Sequence, residues 1–179
     1  MCKDIYITLT MTGTYISKLL NIFYKKEYVH TSIAFDEELE NMYSFGRRNM
    51  LIPIIGGLVK EDISKGIFTK HEIKCEILRI TVTEEQYVCI EELINNYMKD
   101  YYKYKYNLIG LIFIYLNIKY ERRTHFTCSQ FLAMVLEKSD IYKFEESWSL
   151  IKPMDFEKLR NIEIIYKGTL KNYRKIWRK

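Results

Sequence analysis

Thr124-His125-Phe126-Thr127-Cys128-Ser129-Gln130-Phe131 is the stretch whose reading decides the fold. It reads as a polar turn that opens an apolar helix. From Cys128 onward, Phe131, Leu132, Val135 and Leu136 recur at helical spacing and form a face that packs inward. Cys128 then stands on the first turn of a helix. Unpaired N–H groups and the positive end of the helix dipole favour thiolate over thiol there. A thiolate nucleophile needs a base, and the candidate lies far upstream, in Tyr28-Val29-His30-Thr31-Ser32-Ile33-Ala34-Phe35.

Residues 28–36 alternate as a strand does, with Tyr28, His30, Ser32, Ala34 and Asp36 on one side. His30 therefore leaves on the more polar face, held by a rigid element. Taken alone, it also fits a half-buried histidine that makes a structural hydrogen bond. Asp36 to Asn41 reads as a charged hairpin loop, and Met42-Tyr43-Ser44-Phe45-Gly46 as the returning strand. An antiparallel hairpin brings Ser44 close to His30, where it orients the ring.

The remaining elements frame these two strands. Residues 5–10 read as a strand, Thr12-Gly13-Thr14 as a break and residues 15–24 as an amphipathic helix. Residues 47–72 read as an irregular excursion, punctuated by Pro53, Gly56, Gly57 and Gly66 and equally a lid or a packed loop. Residues 73–82 form the clearest strand, with Cys75 on a core face. Thr83 and Gln86 then make a capping box for a helix that holds Cys89 as a packing thiol. Leu108 to Leu116 reads as a buried helix, and Ile162 to Lys167 as a last strand. The result is one α+β domain over residues 1–179, with a mainly antiparallel sheet and helices packed on it.

The bulk numbers fit that frame and exclude some functions. With 179 residues, 48% of them hydrophobic and 28% charged, the chain can bury one core. The net charge of +5 equals the five basic residues of the tail at 171–179. The rest is near neutral, which argues against a nucleic-acid surface. The tail, with Tyr173, Ile176 and Trp177 among its charges, reads as a solvated terminus or a peripheral membrane contact. Cys2, Cys75, Cys89 and Cys128 fit no zinc pattern, and His125 and Cys128 form one half-site without a second, so no metal and no cofactor is expected. The start of the chain lacks the basic-then-apolar run of a signal peptide, and Leu108 to Leu116 is too short to span a bilayer. A cytoplasmic protein with reduced thiols is the expectation.

The order of the pieces resembles the circularly permuted branch of the NlpC-type papain-like cysteine peptidases and amidases. Tyr28-Val-His30-Thr-Ser-Ile-Ala, Met42-Tyr-Ser-Phe-Gly-Arg47, Tyr106-Asn-Leu-Ile-Gly110 and Phe126-Thr-Cys128-Ser-Gln-Phe131 carry the resemblance. In that branch the histidine strand precedes the cysteine helix. The resemblance implies Cys128 as nucleophile, His30 as base and Ser44 in the third position, which is often a carboxylate in the family. Glu40 is the nearest upstream carboxylate able to substitute. The resemblance further implies substrate contacts at Tyr43, Tyr106 and Ser129, and cleavage of an amide in a small peptide or peptidoglycan fragment. The lecithin:retinol acyltransferase-like group shares the permuted order, so a lipid substrate is the second expectation. A non-catalytic binding protein of the same fold is the third, motivated by the serine at position 44.

Overall fold

The computed structural model describes residues 2–11, 27–48, 56–70 and 72–177. The break at Thr12-Gly13-Thr14, the helix over 15–24 and the Pro53 portion of the excursion lie outside the described residues.

Strands β1 (Cys2–Met11), β2 (His30–Ala34), β3 (Met42–Arg47), β4 (Gly56–Glu61), β5 (Lys74–Thr83) and β8 (Ile162–Thr169) form one six-stranded sheet. Its order is β4-β3-β2-β1-β5-β8, and every neighbouring pair is antiparallel. Between β5 and β8 the chain forms helix α2 (Glu84–Lys99), the two-residue strand β6 (Lys105–Tyr106), helix α3 (Leu108–Tyr115), the two-residue strand β7 (His125–Phe126) and helix α4 (Cys128–Lys138). β6 and β7 pair in parallel beside the main sheet. A short helix α1 (Ile67–Lys70) precedes β5, and α5 (Leu170–Trp177) follows β8.

The period of two in the strands sends apolar side chains to both faces. Ile5, Ile7, Leu9, Ile33, Phe45, Leu78 and Ile80 meet Ile90 and Ile94 of α2 and Phe131, Leu132, Val135 and Leu136 of α4. Tyr6, Ala34, Met42, Cys75 and Ile77 form a second cluster with Ile73, Leu170 and Tyr173. The α+β architecture and the inward face of α4 are thus as the residue pattern indicates.

Two elements differ from expectation. The excursion at 47–72 contains β4, an edge strand with a six-residue register against β3 from Met42↔Glu61 to Arg47↔Gly56. Its Gly-Gly start reads as loop but serves close packing. A Cβ at Gly56 would lie 2.8 Å from the Gly46 carbonyl oxygen and 2.8 Å from the Tyr106 Cβ. The second difference is α3. Only Gly110 and Ile114 are buried, and the helix leaves much of its apolar surface outside.

Candidate active site

Cys128 is the first residue of α4, and a capping box fixes the helix start. Gln130 N–H donates to Thr127 Oγ1 (3.2 Å), and Thr127 N–H donates to Gln130 Oε1 (3.0 Å). Gln130 is almost fully buried and does more than cap. Its Oε1 also accepts from Asn107 Nδ2 (3.2 Å), and its Nε2 donates to the Ser149 carbonyl (2.9 Å). Asn107 in turn caps α3 by accepting from Gly110 N–H (3.0 Å). One glutamine therefore ties the start of the cysteine helix to α3 and to the turn at Ser149.

His30 is the first residue of β2, which packs against α4, and its ring interacts electrostatically with the Cys128 thiol. The ring's Nε2 lies 3.0 Å from Glu61 Oε1. A carboxylate oxygen only accepts, so Nε2 carries a hydrogen, and Nδ1 is the ring nitrogen left for the thiol. Glu61 is itself clamped. Ser44 Oγ donates to Oε1 (2.7 Å) and Ser32 Oγ to Oε2 (2.5 Å). The His30 and Glu61 side chains are only 15% and 10% exposed, so water screens the pair weakly.

The electrostatics follow from these contacts. Burial opposes charge on the His30 ring, but the Glu61 carboxylate, the neighbouring Cys128 thiol and the Glu61 hydrogen bond outweigh it and raise the imidazole pKa above its ordinary value. Burial likewise opposes charge on Glu61, but the His30 charge and the hydrogen bonds from His30, Ser32 and Ser44 outweigh it and lower the carboxyl pKa. The arrangement favours the charged form of the His30 ring, which is stabilised by the Glu61 carboxylate when the ring takes up a proton.

The structure brings Cys128, His30 and Ser44 into one region, but Ser44 does not take the third position. Its hydroxyl bonds to Glu61, and the carboxylate meets the ring. Glu40 is exposed, in the loop where its N–H donates to Asp36 Oδ1 (2.6 Å), so it does not substitute. Sequence reasoning missed Glu61 because the strand that carries it was read as loop. Leu58, Val59, Lys60 and Glu61 run as two apolar residues followed by two charged ones, so no period of two marked the strand.

Cys128 opens on a cavity of about 280 Å³, walled by Tyr28, Val29, Leu111, Ile114 and Met154. Ser129 lines it as well, as do Lys152 and Lys158. Tyr43 and Tyr106 do not line this cavity. Tyr43 stacks edge-on against Phe35 (6.1 Å), and Tyr106 packs on the main core. His125 contacts the Thr124 hydroxyl through Nδ1 (3.0 Å). Among the described residues, no group of three or more metal-ligating side chains is gathered to hold an ion. The chain has no significant match to any family model, curated protein or solved structure searched.

Proposed function

We propose that this chain is a thiol hydrolase that cleaves an amide through an acyl-enzyme on Cys128. One observation carries the reading: His30, on a strand packed against the helix that Cys128 opens, is hydrogen-bonded to a largely buried, hydroxyl-clamped carboxylate. Glu61 fixes the tautomer and supplies the negative charge that a serine alone does not. The order of histidine strand before cysteine helix, on an antiparallel sheet, supports a permuted papain-like arrangement.

In this mechanism the neutral His30 ring, its Nε2 hydrogen held by Glu61, takes the Cys128 proton at Nδ1; this gives a thiolate beside an imidazolium that Glu61 stabilises, and the thiolate attacks the substrate carbonyl carbon. The Cys128 and Ser129 N–H groups, which precede the capped Gln130 N–H and the first intrahelical bond of α4, stabilise the oxyanion. The C–N bond breaks as His30 returns its proton to the leaving amine. His30 then takes a proton from water, the hydroxide attacks the thioester, and the acid product leaves with the thiol restored. The non-catalytic reading depended on Ser44 standing in the third position, and Glu61 removes that ground. An ester or lipid acyl substrate is the second reading, favoured by the apolar cavity wall of Val29, Leu111, Ile114 and Met154.

The test is acyl-enzyme trapping with an activated p-nitrophenyl ester, followed by peptide mass mapping. Acyl mass on Cys128, lost in His30→Ala, is the expected result. Labelling of exposed Cys2 with Cys128 untouched would defeat the proposal.

A further inference from the structure

α3 has the composition of a buried helix and the placement of a surface one. Residues 108–116 hold no charged side chain, and tyrosine at 115 is their one polar group. Yet Ile109, Ile112, Tyr115, Leu116 and the following Ile118 are between 47% and 60% exposed. A helix that is apolar on every side belongs in a core or in lipid, whereas a helix made for water shows a polar face. The surroundings favour lipid. Residues 103–123 carry Lys103, Lys105, Lys119, Arg122 and Arg123 against one acid, Glu121; Lys103 pairs with Asp100 (3.1 Å) and Lys119 with Glu121 (3.2 Å), so Lys105, Arg122 and Arg123 are the cations outside those pairs. Tyr115 and Tyr120 flank the patch, and tyrosine prefers the level of lipid headgroups. Apolar side chains with cations nearby in the chain complement an anionic bilayer surface. The other side of the same helix closes the thiol site, because Leu111 and Ile114 wall the cavity at Cys128.

We propose that α3 docks the chain on an anionic lipid surface, and that the acyl substrate of Cys128 enters its cavity from that surface. The entry route rests on the thiol-hydrolase reading; the docking does not. No helix among the described residues is long and apolar enough to cross a membrane, and none is needed. Docking uses the outward side chains alone.

Co-sedimentation of the full chain with vesicles tests this. Vesicles of phosphatidylcholine mixed with phosphatidylglycerol should carry the protein down, and phosphatidylcholine alone or added salt should release most of it. The double variant Ile109→Glu, Ile112→Glu should bind at least ~10-fold more weakly, which corresponds to about 1.4 kcal/mol. Both side chains are more than half exposed, so the melting temperature should hold. If it falls, Ile109→Ser with Ile112→Ser repeats the test without new charge. Cys128→Ser should bind vesicles like wild type, which separates failure of docking from failure of the catalytic reading. Three results would overturn the proposal. Wild type could ignore anionic vesicles. The double variant could bind as wild type does, with Ile176→Ser, Trp177→Ser in α5 losing binding instead. Or wild type could be a dimer without vesicle affinity that the double variant splits, so that a second copy covers α3.

Discussion

Glu61 changes what His30 can do. A ring oriented by a neutral serine keeps its tautomer but gains no help in holding charge. A ring against a buried carboxylate gains both. The contacts also predict how the site couples to stability. Glu61→Ala strands a largely buried imidazolium and should cost about 3–5 kcal/mol in denaturant unfolding. The pH dependence has a defined sign. Glu61 has a lowered pKa, so its share of stability is present above the ordinary carboxyl pKa and is lost as pH falls through the folded value. His30 has a raised pKa, so its share is complete below the ordinary imidazole pKa and is lost as pH rises through the folded value. The stability difference between wild type and Glu61→Ala should therefore peak between about pH 4.5 and 6.5 and shrink toward alkaline pH. A difference that grows through pH 8 would contradict the ion pair. Cys128 and His30 were legible because each sits in a patterned element. Glu61 was not, since a long-range contact made by a side chain on an unrecognised edge strand leaves no local trace.

The elements that aim these side chains are held by short-range chemistry that the sequence does display. Thr83 with Gln86 and Thr127 with Gln130 are the same signal, threonine followed three residues later by glutamine, and both form complete capping boxes. The first is legible beside a long amphipathic helix. The second is obscured because Gln130 sits in a helix that is buried along nearly its whole length. Thr127→Ala should cost about 1 kcal/mol as a lost cap. Gln130→Ala should cost more, about 2–3 kcal/mol, because Asn107 Nδ2 and the Ser149 carbonyl lose their partner together. Equal losses, measured by thermal or denaturant unfolding, would deny Gln130 its bridging role. At β4 the glycine pair that suggested a loop permits close approach to β3 and β6. Gly56→Val should cost about 1–3 kcal/mol by overpacking and displace the strand that carries Glu61.

At the scale of the molecule, an antiparallel sheet with helices on it follows from alternating strands and a few periodic helices, and that much was readable. The exposure of α3 was not, because an apolar run looks the same in a core, in a bilayer or against a partner. The sheet and α4 bring together His30 from the first half of the chain and Cys128 from the second, and the functional reading stands on that meeting. The most direct test is the rate of Cys128 alkylation by iodoacetamide at about pH 6, where an ordinary thiol is almost wholly protonated. The rate is read by peptide mapping so that Cys2, Cys75 and Cys89 do not interfere. Wild type should react at least ~10-fold faster than His30→Ala, in line with the modest end of general-base effects. Equal rates in the two proteins would contradict a working Cys128–His30 pair.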